Sequence, residues 1–103
     1  MKGEEIIMNL QSLLEEKREA ILDIAKRHGA RNVRIFGSVA RGDYDERSDL
    51  DFLVEMEPGR SLLDHASLLL DLESLLGRKV DVVSERGIKA RMRERVLREA
   101  RPL

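Results

Sequence analysis

The 103 residues suffice for one modest core but not for a second lobe to hold an acceptor substrate, so whatever receives a reaction product is expected to come from outside the chain. Basic and acidic residues nearly cancel, 19 Lys and Arg against 20 Asp and Glu for a net charge of -1, which excludes a global field steering the protein to nucleic acid or a membrane surface. The absence of cysteine excludes disulfides and thiolate metal sites and fits a reducing, cytoplasmic setting.

Ile6-Ile7-Met8, lying between acidic Glu4-Glu5 and Asn9, falls far short of a signal-peptide apolar region, and no run approaches a membrane span. Apolar residues at Ile6, Leu10, Leu13, Leu14, Ile21, Ile24 and Ala25 recur at helical spacing. They predict one long amphipathic helix over residues 4–28, stopped at Gly29. His28 at its end is favoured by the helix dipole and reads as structural or solvent-facing, not as a ligand. Val33-Arg34-Ile35-Phe36 is β-rich and runs into Gly37-Ser38, so it reads as a strand delivering a turn.

Residues 49–55 predict a second strand, with Leu50, Phe52 and Val54 on one face and Asp49, Asp51 and Leu53 on the other. Pro58-Gly59 breaks the chain, and Ser61 caps a helix carrying Leu62, Leu63, Ala66, Leu69, Leu70, Leu72, Leu75 and Leu76 that ends at Gly77. So broad an apolar face implies burial against the sheet, and His65, early in this helix, reads as structural or solvent-facing, not as a ligand. Val80-Asp81-Val82-Val83 predicts a third strand, followed by a basic amphipathic helix over residues 88–100.

That last helix has an inner seam of Met92, Val96 and Ala100, with Lys89, Arg91, Arg93, Arg95 and Arg98 outside it. On a chain without net positive charge or interleaved aromatics, the stripe reads as a solvated or partner-docking face, and direct nucleic-acid binding is not expected. The chain is expected to form a single domain: an N-terminal helix over residues 1–30, a catalytic core over 31–84 and the C-terminal helix over 85–103.

The chemistry concentrates between Gly37 and Asp51. A Gly-Ser turn lets backbone N–H groups approach a phosphate, and carboxylates two residues apart on a strand share a face. Two anions on one face repel unless a cation sits between them, so the pattern predicts a Mg²⁺-dependent nucleotide site. Asp81 interrupts an apolar strand, where a carboxylate is costly unless paired, hydrated or bound to metal. If that strand neighbours residues 49–55, three carboxylates converge, enough for two Mg²⁺ ions. Asp49 and Asp51 would then hold the metals that bind a triphosphate, and Asp81 would assist the second metal and accept a proton from an attacking hydroxyl.

Asp43 and Asp45 form another Asp-x-Asp pair, but they sit among Gly42, Tyr44, Glu46 and Arg47 without strand character and read as solvated loop. Arg41 and Arg47 either add positive charge near a triphosphate or pair with Asp43, Asp45 or Glu46. Tyr44 either stacks on a base or covers the site.

Gly37-Ser38, ten intervening residues and Asp49-x-Asp51 resemble the signature of the DNA polymerase β-like nucleotidyltransferase superfamily, in particular its minimal nucleotidyltransferase branch, the antitoxins found beside HEPN-domain toxins. Ala40-Arg41-Gly42 and Ser48 are similar to that branch's extended motif, and Asp81 matches its late strand carboxylate. The resemblance implies an α+β fold, a small mixed β-sheet with helices packed on one side. It implies ATP as donor, Mg²⁺, release of pyrophosphate, and transfer of AMP to a tyrosine hydroxyl of a HEPN ribonuclease toxin. It further implies that Gly37 and Ser38 hold the β and γ phosphates. The alternatives are an antitoxin that masks its toxin without catalysis and a transferase acting on a small molecule.

Overall fold

The computed structural model describes residues 10–103; Ile6 and the predicted start of the first helix lie outside the described residues. The helical periodicity resolves into α1, described over residues 10–16, and α2, Arg18–Arg27. Lys17 separates them, yet its N–H donates to Leu13 O at 2.9 Å and its carbonyl accepts from Ile21 N at 2.8 Å. The hydrogen-bond ladder therefore runs through the break, and Leu10, Leu14, Ile21, Ile24 and Ala25 fall on one buried face.

The chain continues as β1 (Ala30–Phe36), the short helix α3 (Gly37–Arg41), β2 (Leu50–Met56), α4 (Leu62–Leu76) and β3 (Val80–Ser84). A 3₁₀ turn (Glu85–Gly87), α5 (Ala90–Glu99) and the two-residue strand β4 (Arg101–Pro102) complete it. One mixed sheet has the order β3-β2-β1-β4, with β1 antiparallel to both β2 and β4, and β2 parallel to β3. A parallel pair requires a crossover, which α4 provides. β1 begins three residues earlier than its apolar run, at Ala30, and carries a register irregularity between Arg31 and Arg34 where Asn32 adopts φ +52°. Asparagine tolerates that left-handed conformation better than most residues.

β2 supplies the centre of the core. Leu50, Phe52 and Val54 are buried in one cluster with Ile21, Ile24 and Ala25 of α2, Leu68, Leu72 and Leu76 of α4, and Val80 and Val82 of β3. The α+β architecture read from the motif is thus present, with α2 and α4 packed on the Phe52 face. Leu53, on the opposite face by strand alternation, is also fully buried, and neither it nor Val96 of α5 belongs to that cluster. The predicted seam of α5 is narrower than expected: Val96 alone is buried in that helix, and Met92 is exposed.

α4 starts and stops as predicted. Leu63 N donates to Ser61 Oγ at 3.2 Å and Ser61 N donates to Asp64 Oδ2 at 2.9 Å, a reciprocal capping box, while Gly77 follows the last turn. The bond from the Ser61 backbone holds the Asp64 carboxyl below its ordinary value. Its apolar face is not buried throughout, however. Leu62, Leu63 and Leu70 are 86%, 78% and 62% exposed, whereas Leu68, absent from the predicted face, is fully buried. A helix lying on one sheet buries a single stripe, here 68, 72 and 76, at spacing four.

Both histidines are structural. His28 Nε2 lies 2.7 Å from Asp71 Oδ2, tying the end of α2 to α4. His65 Nε2 lies 2.8 Å from Val82 O, and Glu73 Oε2 accepts from Val80 N at 3.1 Å. Side chains of α4 thereby cover the outer edge of β3, which has no strand beyond it among the described residues. No helix among the described residues is long and apolar enough to cross a membrane.

Candidate active site

β1 delivers Gly37 in a left-handed conformation, φ +75°, and α3 starts there at once from an extended Phe36. A Cβ at Gly37 would collide with Asp51 Oδ2, so glycine is required both by the backbone angle and by the neighbouring carboxylate. The first N–H groups of α3, those of Gly37 and Ser38 among them, lack acceptors within the helix. The turn therefore presents donors next to the Asp51 carboxylate. Gly42, φ +85°, ends α3, with its N–H donating to Ser38 O at 2.9 Å.

The parallel register of β2 and β3 brings two of the three carboxylates together. Asp51 is paired with Asp81, and opposed residues on neighbouring strands share a face. Asp49 lies just before β2, which starts one residue later than predicted, at Leu50. Asp49 and Asp51 are partly buried and Asp81 is exposed, so the patch faces solvent at the start of β2 and β3. Burial, then the charges of Asp81 and Asp49, push the Asp51 carboxyl up to about 6, against an opposing effect of the Arg41 charge. The carboxylates are close enough to repel.

Such an all-oxygen, mutually repelling donor set fits a hard divalent cation such as Mg²⁺. Among the described residues no three His, Cys, Asp or Glu side chains already stand in a metal-ligating arrangement. Nucleotide oxygens and water would complete the coordination of an ion held by these aspartates. A cleft of about 430 Å³ lined by Arg31, Glu55, Arg60, Arg86 and Arg93 lies at the other end of β2 and contains none of the three aspartates.

The second Asp-x-Asp pair is occupied elsewhere, as its loop setting predicted. Asp43 Oδ2 accepts from Arg41 Nε at 3.2 Å, and Asp45 Oδ1 accepts from Arg47 N at 2.8 Å within a turn closed by Ser48. Arg41 pairs with Asp43, one of the partners open to it in the sequence, and makes a further pair, Nη1 to Glu99 Oε1 at 3.1 Å. Arg47 is exposed, and its side chain makes no ion pair among the described residues. Tyr44 is half-buried and packs against the core.

Two supporting residues escaped the sequence reading. Arg78 Nη2 donates to Glu46 O at 3.1 Å and Ser48 O at 2.9 Å, bracing the loop that carries Asp49. Glu99 reaches α3 from 58 residues away. Neither belongs to a local motif, and no pattern within a window of sequence marks them.

The strand-turn-helix unit of Gly37-Ser38 and the carboxylates on paired strands define a nucleotidyl-transfer fold, and comparison with known proteins agrees. A family model of the nucleotidyltransferase domain matches residues 14–103. The protein adenylyltransferase MntA of Thermococcus cleftensis is 40% identical over 89 residues, covering 82% of this chain and 90% of its own. A solved structure of a candidate minimal nucleotidyltransferase is 63% identical, with a TM-score of 0.79 over 87% of this chain and 92% of that one. A toxin–antitoxin crystal structure with AMP-PNP shares the fold at 21% identity and a TM-score of 0.69, over 80% of this chain and 68% of that one.

The chain belongs to the nucleotidyltransferase domain family, in its minimal, polymerase β-like branch. It is a nucleotidyltransferase.

Proposed function

We propose that this chain is a protein adenylyltransferase antitoxin that transfers AMP from ATP to a tyrosine hydroxyl of a HEPN-type ribonuclease toxin. The observation that carries the reading is the pairing of Asp51 with Asp81 across the parallel strands, beside the Gly37–Ser38 turn and with Asp49 immediately before β2. The name of the Thermococcus relative supports protein adenylylation, and the toxin–antitoxin assembly with AMP-PNP supports both a toxin partner and an adenine nucleotide.

In this reading the N–H groups of Gly37 and Ser38 and the Ser38 hydroxyl bind the β and γ phosphates. Asp49, Asp51 and Asp81 would hold Mg²⁺, which would supply charge neutralisation of the triphosphate and polarisation of the α phosphate. The partner's tyrosine oxygen forms a bond to the α phosphorus, the bond to the pyrophosphate oxygen breaks, and pyrophosphate leaves. Asp81, the most exposed of the three, accepts the tyrosine proton. An open face suits an acceptor delivered by another protein, since the second wall of the site is then the partner's own surface.

Incubating the chain with labelled ATP, Mg²⁺ and the cognate toxin is expected to label the toxin. Asp49→Asn combined with Asp51→Asn abolishes that labelling, and persistent labelling would refute the assignment. The same variant separates transfer from masking: if it protects cells from the toxin as well as the natural chain does, complex formation alone is the better account.

A further inference from the structure

α5 touches the body of the protein through few buried groups, with Val96 its only buried residue. Its last residue is nevertheless well covered: the Glu99 side chain is 18% exposed and its Oε1 accepts from Arg41 Nη1 at 3.1 Å. Arg41 is the final residue of α3, the helical turn that begins at Gly37. Its Nε donates to Asp43 Oδ2 at 3.2 Å. Of the five N–H donors of a guanidinium, these bonds commit one on Nε and one on Nη1, and leave the Nη2 group unbonded among the described residues.

The guanidinium is thus clamped between a carboxylate of the motif loop and one of α5, at 45% exposure, at the end of the helix whose first residue, Gly37, abuts Asp51 Oδ2. An ion pair this exposed contributes little to stability, so its principal effect is orientation. A planar guanidinium with a free amino group suits a phosphate oxygen, and long side chains lose affinity when they must be ordered on binding.

We propose that Glu99 is a positioning residue of the nucleotide site: by accepting from Nη1 it holds the Arg41 guanidinium at the rim of the Gly37–Ser38 turn, where Nη2 meets a phosphate oxygen of the bound nucleoside triphosphate. The inference rests on the reading of this face as a triphosphate site. It makes the docking of α5 a determinant of nucleotide affinity, acting through Arg41.

The test is a double-mutant cycle on MgATP binding, measured by titration calorimetry on the full chain. Arg41→Gln is expected to weaken binding about ten- to hundredfold, the range for loss of a charged hydrogen bond. Glu99→Gln weakens it roughly five- to tenfold, since an amide still accepts but without charge. Because Glu99 acts through Arg41, the double variant binds no more weakly than Arg41→Gln alone.

A charge exchange, Arg41→Glu with Glu99→Arg, separates positioning from packing. It is expected to restore the melting temperature lost in Arg41→Glu but not MgATP affinity, since a carboxylate would then face the phosphates. Natural-strength binding by Glu99→Gln, additive losses in the double variant, or recovery of affinity in the exchange each overturns the proposal. If the natural chain itself binds no MgATP, the triphosphate reading fails, and this inference with it.

Discussion

Replacing Asp51 by asparagine should stabilise the metal-free protein at neutral pH while abolishing transfer. The Asp51 carboxyl is pushed up to about 6 from an ordinary 3.8, first by burial and then by Asp81 and Asp49. That gap corresponds to about 3 kcal/mol at 1.36 kcal/mol per pKa unit. Asp51 is only partly buried, so solvent screening reduces the figure to about 1–2 kcal/mol.

The sign follows from proton uptake. Between about pH 4 and pH 6 the folded chain holds a proton on Asp51 that the unfolded chain has released, so stability falls as pH rises through this window. Above it, the charged side chain carries the full penalty. A neutral amide at this position carries none at any pH.

In chelator-treated protein at pH 8, Asp51→Asn is expected to melt roughly 4–16 °C above the natural chain, taking ~4–8 °C per kcal/mol for a domain of this size. The advantage narrows through pH 6 and vanishes near pH 4. Scanning calorimetry at several pH values reads this directly. Equal melting temperatures at pH 8, or an advantage unchanged at acid pH, would show that Asp51 is not held in a charge-repelling, desolvated position.

Gly37→Ala and Gly42→Ala form a matched pair. Both positions have positive φ, so each substitution strains the backbone by about 1–2 kcal/mol, but only at Gly37 does the new Cβ strike Asp51 Oδ2, while Gly42 faces open space. Melting temperatures should fall in both, and transfer activity at least tenfold only in Gly37→Ala; equal activity losses would detach the Gly37–Asp51 contact from function. In α4, Leu68→Ala is expected to cost about 2–5 kcal/mol as a core truncation, and Leu70→Ala, at 62% exposure, less than about 0.5 kcal/mol. Urea unfolding of the two variants measures the difference, and similar losses would contradict the burial of one stripe on that helix.

The parts of the site that are contiguous in sequence were legible there. Gly37-Ser38 follows directly from a β-rich run, and Asp51 stands in the strand that Phe52-Leu53-Val54 marks, with Asp49 immediately before that strand begins. The cap at Ser61 and the stop at Gly77 were equally readable, because the hydrogen bonds that make them close within four residues. The decoy pair Asp43 and Asp45 was separable for the same reason: its surroundings are those of a turn.

Where pairing between distant segments decides the outcome, sequence was silent. Asp81 was identifiable as an anomaly in an apolar strand, but only the parallel register of β2 and β3 sets it opposite Asp51. Likewise, α4 has leucines around most of its circumference, and which of them are buried depends on how the helix rolls against α2 and the sheet. Leu68 is therefore interior while Leu62 and Leu63 are not. The Arg41–Glu99 contact spans 58 residues, and the bracing of the Asp49 loop by Arg78 spans 30 and 32. Local chemistry determines which residues can bind phosphate and metal, because it acts through neighbours along the chain. Tertiary packing decides which of them meet, because strand register and helix roll are set by the core as a whole.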